Sequence, residues 1–249
     1  MFPKIEDWDA FVIRVALICE LILQAISLEK PNLHLISVDE KTGIQALERI
    51  AAHQPMEKGK PRRIEYEYTR HGTTCLMAAI DVGRGKMISH RLHTTRKEED
   101  FLIFIRQTVD QLPATGQIIF LADQLNTHQS ESLVRWIAQR LDFEKDLGTK
   151  GYKGILKSME TRKQFLESPE HRIRFVFTPK HCSWLNPIEN WFAKLQRHVI
   201  KHGNFSSVKE LENKIESYID FYNRCLIKPL KWKFKGFIKA QKLKCLNRA

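Results

Sequence analysis

Hydrophobic residues along this chain follow helical spacing in some stretches and strand-like spacing in others. The first stretch, residues 7–28, is apolar with helical periodicity and ends near Lys30-Pro31, which predicts an N-terminal amphipathic helix. Strands are expected next over residues 34–39, 64–70, 73–82 and 86–94. The last three would form an antiparallel meander, with a tight turn at Gly83-Arg84-Gly85.

The second half of the chain predicts helices and strands in alternation. Thr95 and Glu98 have the spacing of a capping box, which predicts that a helix begins there. Asn186 and Pro187 resemble an N-cap and a first helical residue. The remaining elements are expected as a strand over 118–122, a helix over 130–143, a strand over 172–177 and a helix over 207–224.

Composition narrows the class of protein. The 249 residues are 43% hydrophobic, which is enough for a substantial core. The formal net charge is +12, so a polyanionic partner such as nucleic acid is expected, although an ordinary basic protein has the same composition. The five cysteines form no Cys-x-x-Cys pair, which argues against a disulfide framework and a structural zinc site, including one at His181-Cys182. Arg14 and Glu20 interrupt the first apolar stretch, which argues against a signal peptide or membrane span.

Carboxylates at the ends of apolar elements suggest a metal site. Asp39 and Asp123 each follow a predicted strand, and Glu189 lies at the edge of the buried stripe of the helix that begins at Pro187. Oxygen ligands of this kind suit a hard divalent cation such as Mg²⁺. An alternative for Glu189 is a capping box with Asn186. Glu40 competes with Asp39, but side chains alternate along a strand, so only one of the two can face the same cleft.

At these positions the chain resembles the DDE endonuclease domain of mariner-superfamily transposases, in the bacterial insertion-sequence branch. The resemblance covers about residues 36–235. The matching motifs are Val38-Asp39-Glu40-Lys41 with Gly43-Ile44-Gln45-Ala46, Arg70-His71-Gly72-Thr73-Thr74, Asp123 with His128, and Ser183-Trp184-Leu185-Asn186-Pro187-Ile188-Glu189. Two departures from the family pattern are Gln124, where the family usually has asparagine, and a long interval between Asp123 and Glu189.

The resemblance implies an α/β, ribonuclease H-like fold. Its mixed central five-stranded sheet would be flanked by helices, with the first and fourth strands adjacent and parallel, an N-terminal helix and a helical, basic C-terminal extension. It also implies a catalytic triad of Asp39, Asp123 and Glu189 that holds two Mg²⁺ ions, with Mn²⁺ as a possible substitute. The implied activity is metal-dependent DNA strand cleavage followed by strand transfer.

Further expectations concern supporting residues and boundaries. His128, Asn126 and Asn190 are candidate auxiliary residues, although a lone histidine is often structural. DNA contact is expected from Lys180, Lys231, Lys233 and Lys235, unless the tail aromatics pack on the core and the lysines only face solvent. The expected divisions are a docking helix (1–30), a catalytic domain (31–203, with 144–168 as an insertion) and a C-terminal helix with a basic tail (204–249).

The expected partner is double-stranded DNA, bound by a homodimer in the bacterial cytoplasm without a membrane. Two alternative functions stay open. One is an inactive or truncated transposase remnant that only binds DNA, because no N-terminal helix-turn-helix is evident in the sequence. The other is a ribonuclease H-like nuclease without strand transfer.

Overall fold

The computed structural model describes residues 5, 7–27, 32–51, 56–61, 65 and 67–237. The strands are β1 (Leu33–Arg49), β2 (Tyr68–Asp81), β3 (Lys86–His93), β4 (Gln117–Ala122) and β5 (Ile173–Phe177). The helices are α1 (Trp8–Ser27), α2 (Glu98–Asp110), α3 (Glu131–Arg140), α4 (Met159–Glu167), α5 (Ile188–Leu195) and α6 (Val208–Phe221). Helix α5 continues into a π-helical turn, Gln196–Ile200, and α6 into another, Tyr222–Leu226.

One mixed sheet forms the centre of the molecule, with its strands in the order β3-β2-β1-β4-β5. β2 pairs in antiparallel fashion with both β1 and β3, whereas β1 pairs in parallel with β4 and β4 in parallel with β5. This topology confirms the predicted ribonuclease H-like sheet and the predicted pairing of the first and fourth strands. The carboxyl ends of β4 and β5 therefore lie side by side, next to the middle of β1 around Asp39, and we call this end of the parallel strands the sheet edge.

Two strands are longer than the sequence pattern predicts. β1 continues ten residues past Asp39, because β2 goes on pairing with it after β4 has ended. The two strands predicted on either side of Gly72 are one strand, β2, and the first of them begins in residues outside the described part. The β1–β2 register shifts between Gln45 and Leu47, opposite Gly72, which has a φ of 119°. The glycine therefore accommodates a bulge, which bends a strand without ending it.

Helices cover both faces of the sheet. On one face α2, α3 and α4 pack over the even-numbered residues of the first part of β1, such as Ile36 and Val38. On the other face α1 packs over Leu35 and the two parallel strands, and α5 and α6 pack over β2 and the far half of β1. This alternation decides which side chains of β1 reach which helices.

The N-terminal helix and the C-terminal tail pack on each other. α1 is long and apolar enough to span a bilayer, but Val15, Ile18, Cys19 and Ile22 are buried against the sheet. In the tail, the rings of Trp232, Phe234 and Phe237 pack against this layer, while the lysines between them are exposed. The tail lysines are therefore held in place by the aromatic residues that alternate with them.

The segment 144–168 contributes to the main core. Leu156, Phe165 and Leu166 are buried in the cluster under α2 and α3. The buried Arg162 donates hydrogen bonds from Nε to the carbonyl of Gln129 at 2.7 Å and from Nη1 to that of Leu156 at 3.1 Å. This segment thereby supports the turn that follows β4, whether or not it is an insertion.

Candidate metal centre

Asp39 and Asp123 occupy corresponding positions on neighbouring parallel strands. The last register pair between β1 and β4 is Ser37 with Leu121, and each aspartate lies two residues further along its own strand direction. Adjacent strands are about 4.8 Å apart, so this register brings the two carboxylates together at the sheet edge. The structure thus supports the adjacency that the sequence resemblance implies.

The carboxylate of Asp39 is mostly buried, and its hydrogen-bond donors within the described residues are neutral amides. Its Oδ1 accepts from the backbone amide of Glu40 at 2.8 Å, and its Oδ2 from the side-chain amide of Asn186 at 3.1 Å. The pKa of Asp39 is raised to about 7, mainly by burial and also by the charges of Asp123 and Glu40, against the lowering effects of the Glu40 amide hydrogen bond and the charge of His128. Such a carboxylate is stabilised when a cation approaches.

Asn186 links the turn before α5 to β1. Its Nδ2 also donates to the carbonyl of Val38 at 2.9 Å, and its Oδ1 accepts from the hydroxyl of Ser37. The hydroxyl of Ser37 in turn accepts from the backbone amide of Ile188 at 2.9 Å. The prediction that Asn186 caps the helix is wrong: Pro187 occupies the N-cap position, and the asparagine side chain orients Asp39 instead.

His128 connects Asp123 with Glu40. It lies in the short 3₁₀ turn Asn126–Gln129 directly after β4, and its side chain is 0% exposed. Its Nδ1 is 2.8 Å from Oδ1 of Asp123, and its Nε2 is 3.0 Å from Oε1 of Glu40, whose side chain is 4% exposed. Burial disfavours a charged ring, but the hydrogen bonds to Asp123 and Glu40 outweigh it and raise the pKa of His128 to about 10.

Asp123 is consequently held as an anion. Burial opposes its ionisation, but the hydrogen bond from His128 and the positive charge of that ring lower the pKa of Asp123. Its Oδ1 also accepts from the amide of Leu125 at 3.0 Å, and 41% of the side chain is exposed. The carboxylate is therefore fixed through one oxygen and open to solvent on its other side.

The predicted alternation of Asp39 and Glu40 is confirmed, because their side chains lie on opposite faces of the sheet. Asp39 faces Asn186 before α5, whereas Glu40 is buried on the α2 face beside His128. The sequence pattern gives no sign that His128, which follows β4, would connect the two faces of the sheet. The adjacency of β1 and β4 that the resemblance implies is a signal for this contact, but it does not specify which residue of β1 His128 reaches.

Glu189 lies in the first turn of α5 and is half-buried. Within the described residues its carboxylate has no hydrogen bond or ion pair, and no three His, Cys, Asp or Glu side chains are grouped to hold a metal ion. The triad of Asp39, Asp123 and Glu189 stays a prediction. The capping-box alternative has no support either, because the side chain of Asn186 is engaged with β1.

The remaining candidate residues lie around the same edge or away from it. Gln124 donates from Nε2 to the carbonyl of Thr178 at 2.8 Å, tying the end of β4 to the end of β5. Asn126 and Asn190 are exposed. Asp81 closes the β2–β3 turn by accepting from the amide of Arg84 at 3.0 Å, so it serves a structural purpose.

Exposed lysines lie close to this edge. Lys180 follows β5, whose carboxyl end is beside that of β4. Lys231, Lys233 and Lys235 alternate with the packed tail aromatics, and the ring of Phe234 contacts that of Trp184, with centroids 5.5 Å apart. Trp184 belongs to the turn that carries Asn186, so the tail runs next to the segment that orients Asp39.

Comparison with known proteins defines the class. The model of the DDE superfamily endonuclease family matches residues 34–212. The chain therefore belongs to the DDE superfamily endonuclease family. A search of curated protein sequences finds no match.

Solved structures identify the particular fold within that class. The chain is similar to the Mos1 mariner transposase in a paired-end complex with its left transposon end (TM-score 0.54, 15% identity) and in a paired-end complex with Mn (0.55, 14%). In both, 90% of this chain aligns with 62% of the other, so the chain spans less than two thirds of those transposases. It aligns over 90% of each chain with the Mos1 catalytic domain (0.51, 13%). These similarities establish the ribonuclease H-like fold.

Proposed function

We propose that this chain is the catalytic domain of a mariner-type DDE transposase, a nuclease that cleaves DNA strands with the help of a divalent metal ion. The observation that carries the proposal is the pair Asp39 and Asp123, at corresponding positions on adjacent parallel strands. Membership of the DDE endonuclease family supports the same function.

The chemistry of the donor set fits a divalent cation. Asp39 is mostly buried without a cationic partner of its own among the described residues, and Asp123 is anionic and open on one side. Mg²⁺ is commonly held by one or two carboxylates together with water and substrate phosphates. Asp39 and Asp123 would hold the ion, and Glu189 is the candidate third ligand. Bound Mg²⁺ supplies activation of the attacking oxygen and neutralisation of charge on the leaving oxygen.

The chain's own residues have two tasks in this account. The amide of Asn186 keeps one oxygen of Asp39 in a fixed direction. Lys180 and the exposed lysines of the tail contact phosphates next to the cleavage edge and position the duplex without reading its sequence. Water and then a DNA 3′-hydroxyl are the attacking groups, so no side-chain nucleophile is required.

The partners follow from this function. The substrate is double-stranded DNA, comprising transposon ends and a target, with a homodimer of transposase chains on the DNA and action in the cytoplasm. The net charge of +12 supports binding to a polyanion.

A second candidate is a DNA-binding protein of the same fold that no longer cleaves. It is favoured by the position of Glu189, which is not grouped with the two aspartates within the described residues. A nuclease without strand transfer is the third possibility, and it would nick DNA without joining strands.

Incubation of the purified chain with supercoiled plasmid distinguishes these possibilities. We expect nicking with Mg²⁺ or Mn²⁺, no nicking with EDTA, and none with Asp123→Asn, although that variant should keep its DNA affinity. Binding without nicking would favour the second candidate. Nicking without any joined product, when cut transposon ends are supplied, would favour the third.

A further inference from the structure

The pair Glu40 and His128 is a buried polar structure that the proposed chemistry does not use directly. Buried carboxylates and imidazoles are costly to keep in a core unless they are paired and hydrogen-bonded. Here both ring nitrogens face carboxylate oxygens, at 3.0 Å and 2.8 Å. The arrangement extends from the α2 face of the sheet to the edge where Asp123 lies.

Several contacts leave the imidazole of His128 with little freedom. The ring of Phe101 in α2 packs on it, with centroids 4.2 Å apart. Arg162 holds the turn that carries His128 by donating to the carbonyl of the adjacent Gln129 at 2.7 Å. Glu40 then sets the rotation of the ring through Nε2. A ring fixed in this way presents Nδ1 in one direction.

That direction leads to one oxygen of Asp123. Oδ1 lies 2.8 Å from Nδ1 of His128 and accepts from the amide of Leu125 at 3.0 Å, while Nδ1 also lies 3.2 Å from the backbone carbonyl oxygen of Asp123; no hydrogen bond to Oδ2 is formed within the described residues. Two donors on the same oxygen fix the rotamer of the carboxylate and leave Oδ2 accessible. Outer partners of this kind orient metal ligands and commonly change metal affinity 10–100-fold when they are removed.

We infer that Glu40 and His128 are positioning residues that hold Asp123 with Oδ2 directed outward for a divalent cation. The inference rests on the proposed function, since it assigns a partner to one of its metal ligands. Neither residue is expected to contact the cation or the DNA.

Two substitutions of His128 separate its two hydrogen bonds. The amide nitrogen of asparagine has the same bond separation from Cβ as Nδ1, so His128→Asn keeps a donor for Asp123 and loses Glu40. The amide nitrogen of glutamine corresponds to Nε2, so His128→Gln keeps a donor for Glu40 and loses Asp123. Glu40→Gln keeps a hydrogen-bonding group for the ring and removes only the charge. His202→Gln, at an exposed histidine, is the matched control.

The test measures Mn²⁺ binding to the whole chain without DNA. Electron paramagnetic resonance of the free ion gives the dissociation constant, and the melting temperature shows whether each variant folds. We expect the dissociation constant for Mn²⁺ to rise 10–100-fold in His128→Gln. We expect a rise of under about tenfold in His128→Asn and Glu40→Gln, because a donor to Asp123 remains. His202→Gln should match the parent.

Equal Mn²⁺ affinity in the parent and His128→Gln, with a lower melting temperature in the variant, would mean that the pair only stabilises the fold, and would overturn the inference. Equal weakening in His128→Asn and His128→Gln would also overturn it, because the contact with Asp123 would then be irrelevant. If His128→Gln does not fold, Glu40→Gln and Glu40→Leu decide, and the inference requires the leucine variant to bind Mn²⁺ at least tenfold more weakly than the glutamine variant. A parent that binds no Mn²⁺, or an Asp123→Asn variant that binds it as the parent does, contradicts the proposed metal centre itself.

Discussion

At the scale of single residues, Asn186 shows most clearly how one side chain sets the geometry of the candidate metal centre. It is 1% exposed and its amide nitrogen serves both the carbonyl of Val38 and the carboxylate of Asp39. Removing it leaves buried polar groups on β1 without partners. The asparagine therefore contributes to stability and to the orientation of a metal ligand at once.

We predict that Asn186→Ala lowers the free energy of unfolding by about 2–4 kcal/mol, because buried groups lose their hydrogen bonds. Urea denaturation measures the change. Asn190→Ala, four residues further on and exposed, is the control and should stay within about 0.5 kcal/mol of the parent. Similar losses in both variants would show that the contacts of Asn186 with β1 are not what matters.

The sequence could be used to predict Asp39 and Asp123 as neighbours, because each ends an apolar run and the resemblance supplied the strand order. It could not be used to predict the partners of either residue. Asn186 is 147 positions from Asp39, and Glu40 is 88 positions from His128. Local patterns suggested a helix cap for Asn186 because the spacing of caps is local, whereas the actual contacts are tertiary.

At the scale of elements, local rules gave most helices and strands but not all of their ends. The helix predicted over 207–224 is α6 with its π-helical turn, and Ser207 caps it by accepting from the amide of Glu210 at 3.1 Å. The expected box of Thr95 and Glu98 is wrong. Lys97 is the N-cap of α2, and its amide donates to Asp100 at 2.9 Å, as does the hydroxyl of Thr95 at 2.6 Å. Asp100, two positions after Glu98, is the acceptor instead. Spacing alone could not distinguish Glu98 from Asp100.

The turn between β2 and β3 provides a test of how the tail is attached. Gly85 has a φ of 69°, and a Cβ there would lie 2.0 Å from the carbonyl oxygen of Lys228 at the start of the tail. Gly43 has a similar φ of 63° with nothing within 4 Å of an added Cβ. The two glycines therefore share the backbone strain of a left-handed conformation and differ in the close contact.

We predict that Gly43→Ala costs about 1–2 kcal/mol from the left-handed backbone alone. Gly85→Ala should cost about 1–3 kcal/mol more, because the tail backbone must move away. It should also make the tail more sensitive to limited proteolysis. Equal costs and equal proteolysis would mean that residue 228 does not lie against this turn in solution.

At the scale of the whole molecule, the basic tail runs next to the turn that carries Asn186. The tail lysines are exposed and are spaced two apart by the packing of Trp232 and Phe234. The sequence left open whether the aromatics pack or the lysines bind DNA. The structure shows that the aromatics pack, which leaves the lysines free for phosphates.

We predict that changing Lys231, Lys233 and Lys235 together to Gln weakens duplex binding and reduces the slope of log affinity against log salt by about 2–3, as fewer counterions are released. Fluorescence anisotropy over a range of salt concentrations measures both. The control changes the exposed Lys201, Lys209 and Lys214, which removes the same charge elsewhere. If the two triple variants lose affinity equally, net charge and not the position of the tail controls binding.

The central claim is that a divalent cation binds where Asp39 and Asp123 meet at the sheet edge. Fe²⁺ occupies sites built from carboxylate oxygens and, with ascorbate and peroxide, generates radicals that cut the nearest backbone. Mass spectrometry of the fragments then locates the ion. We expect cuts next to Asp39 and Asp123 and in the turn before α5, suppressed by excess Mg²⁺ and absent in Asp123→Asn. Cuts confined to other parts of the chain, or cuts unchanged in Asp123→Asn, would contradict the account.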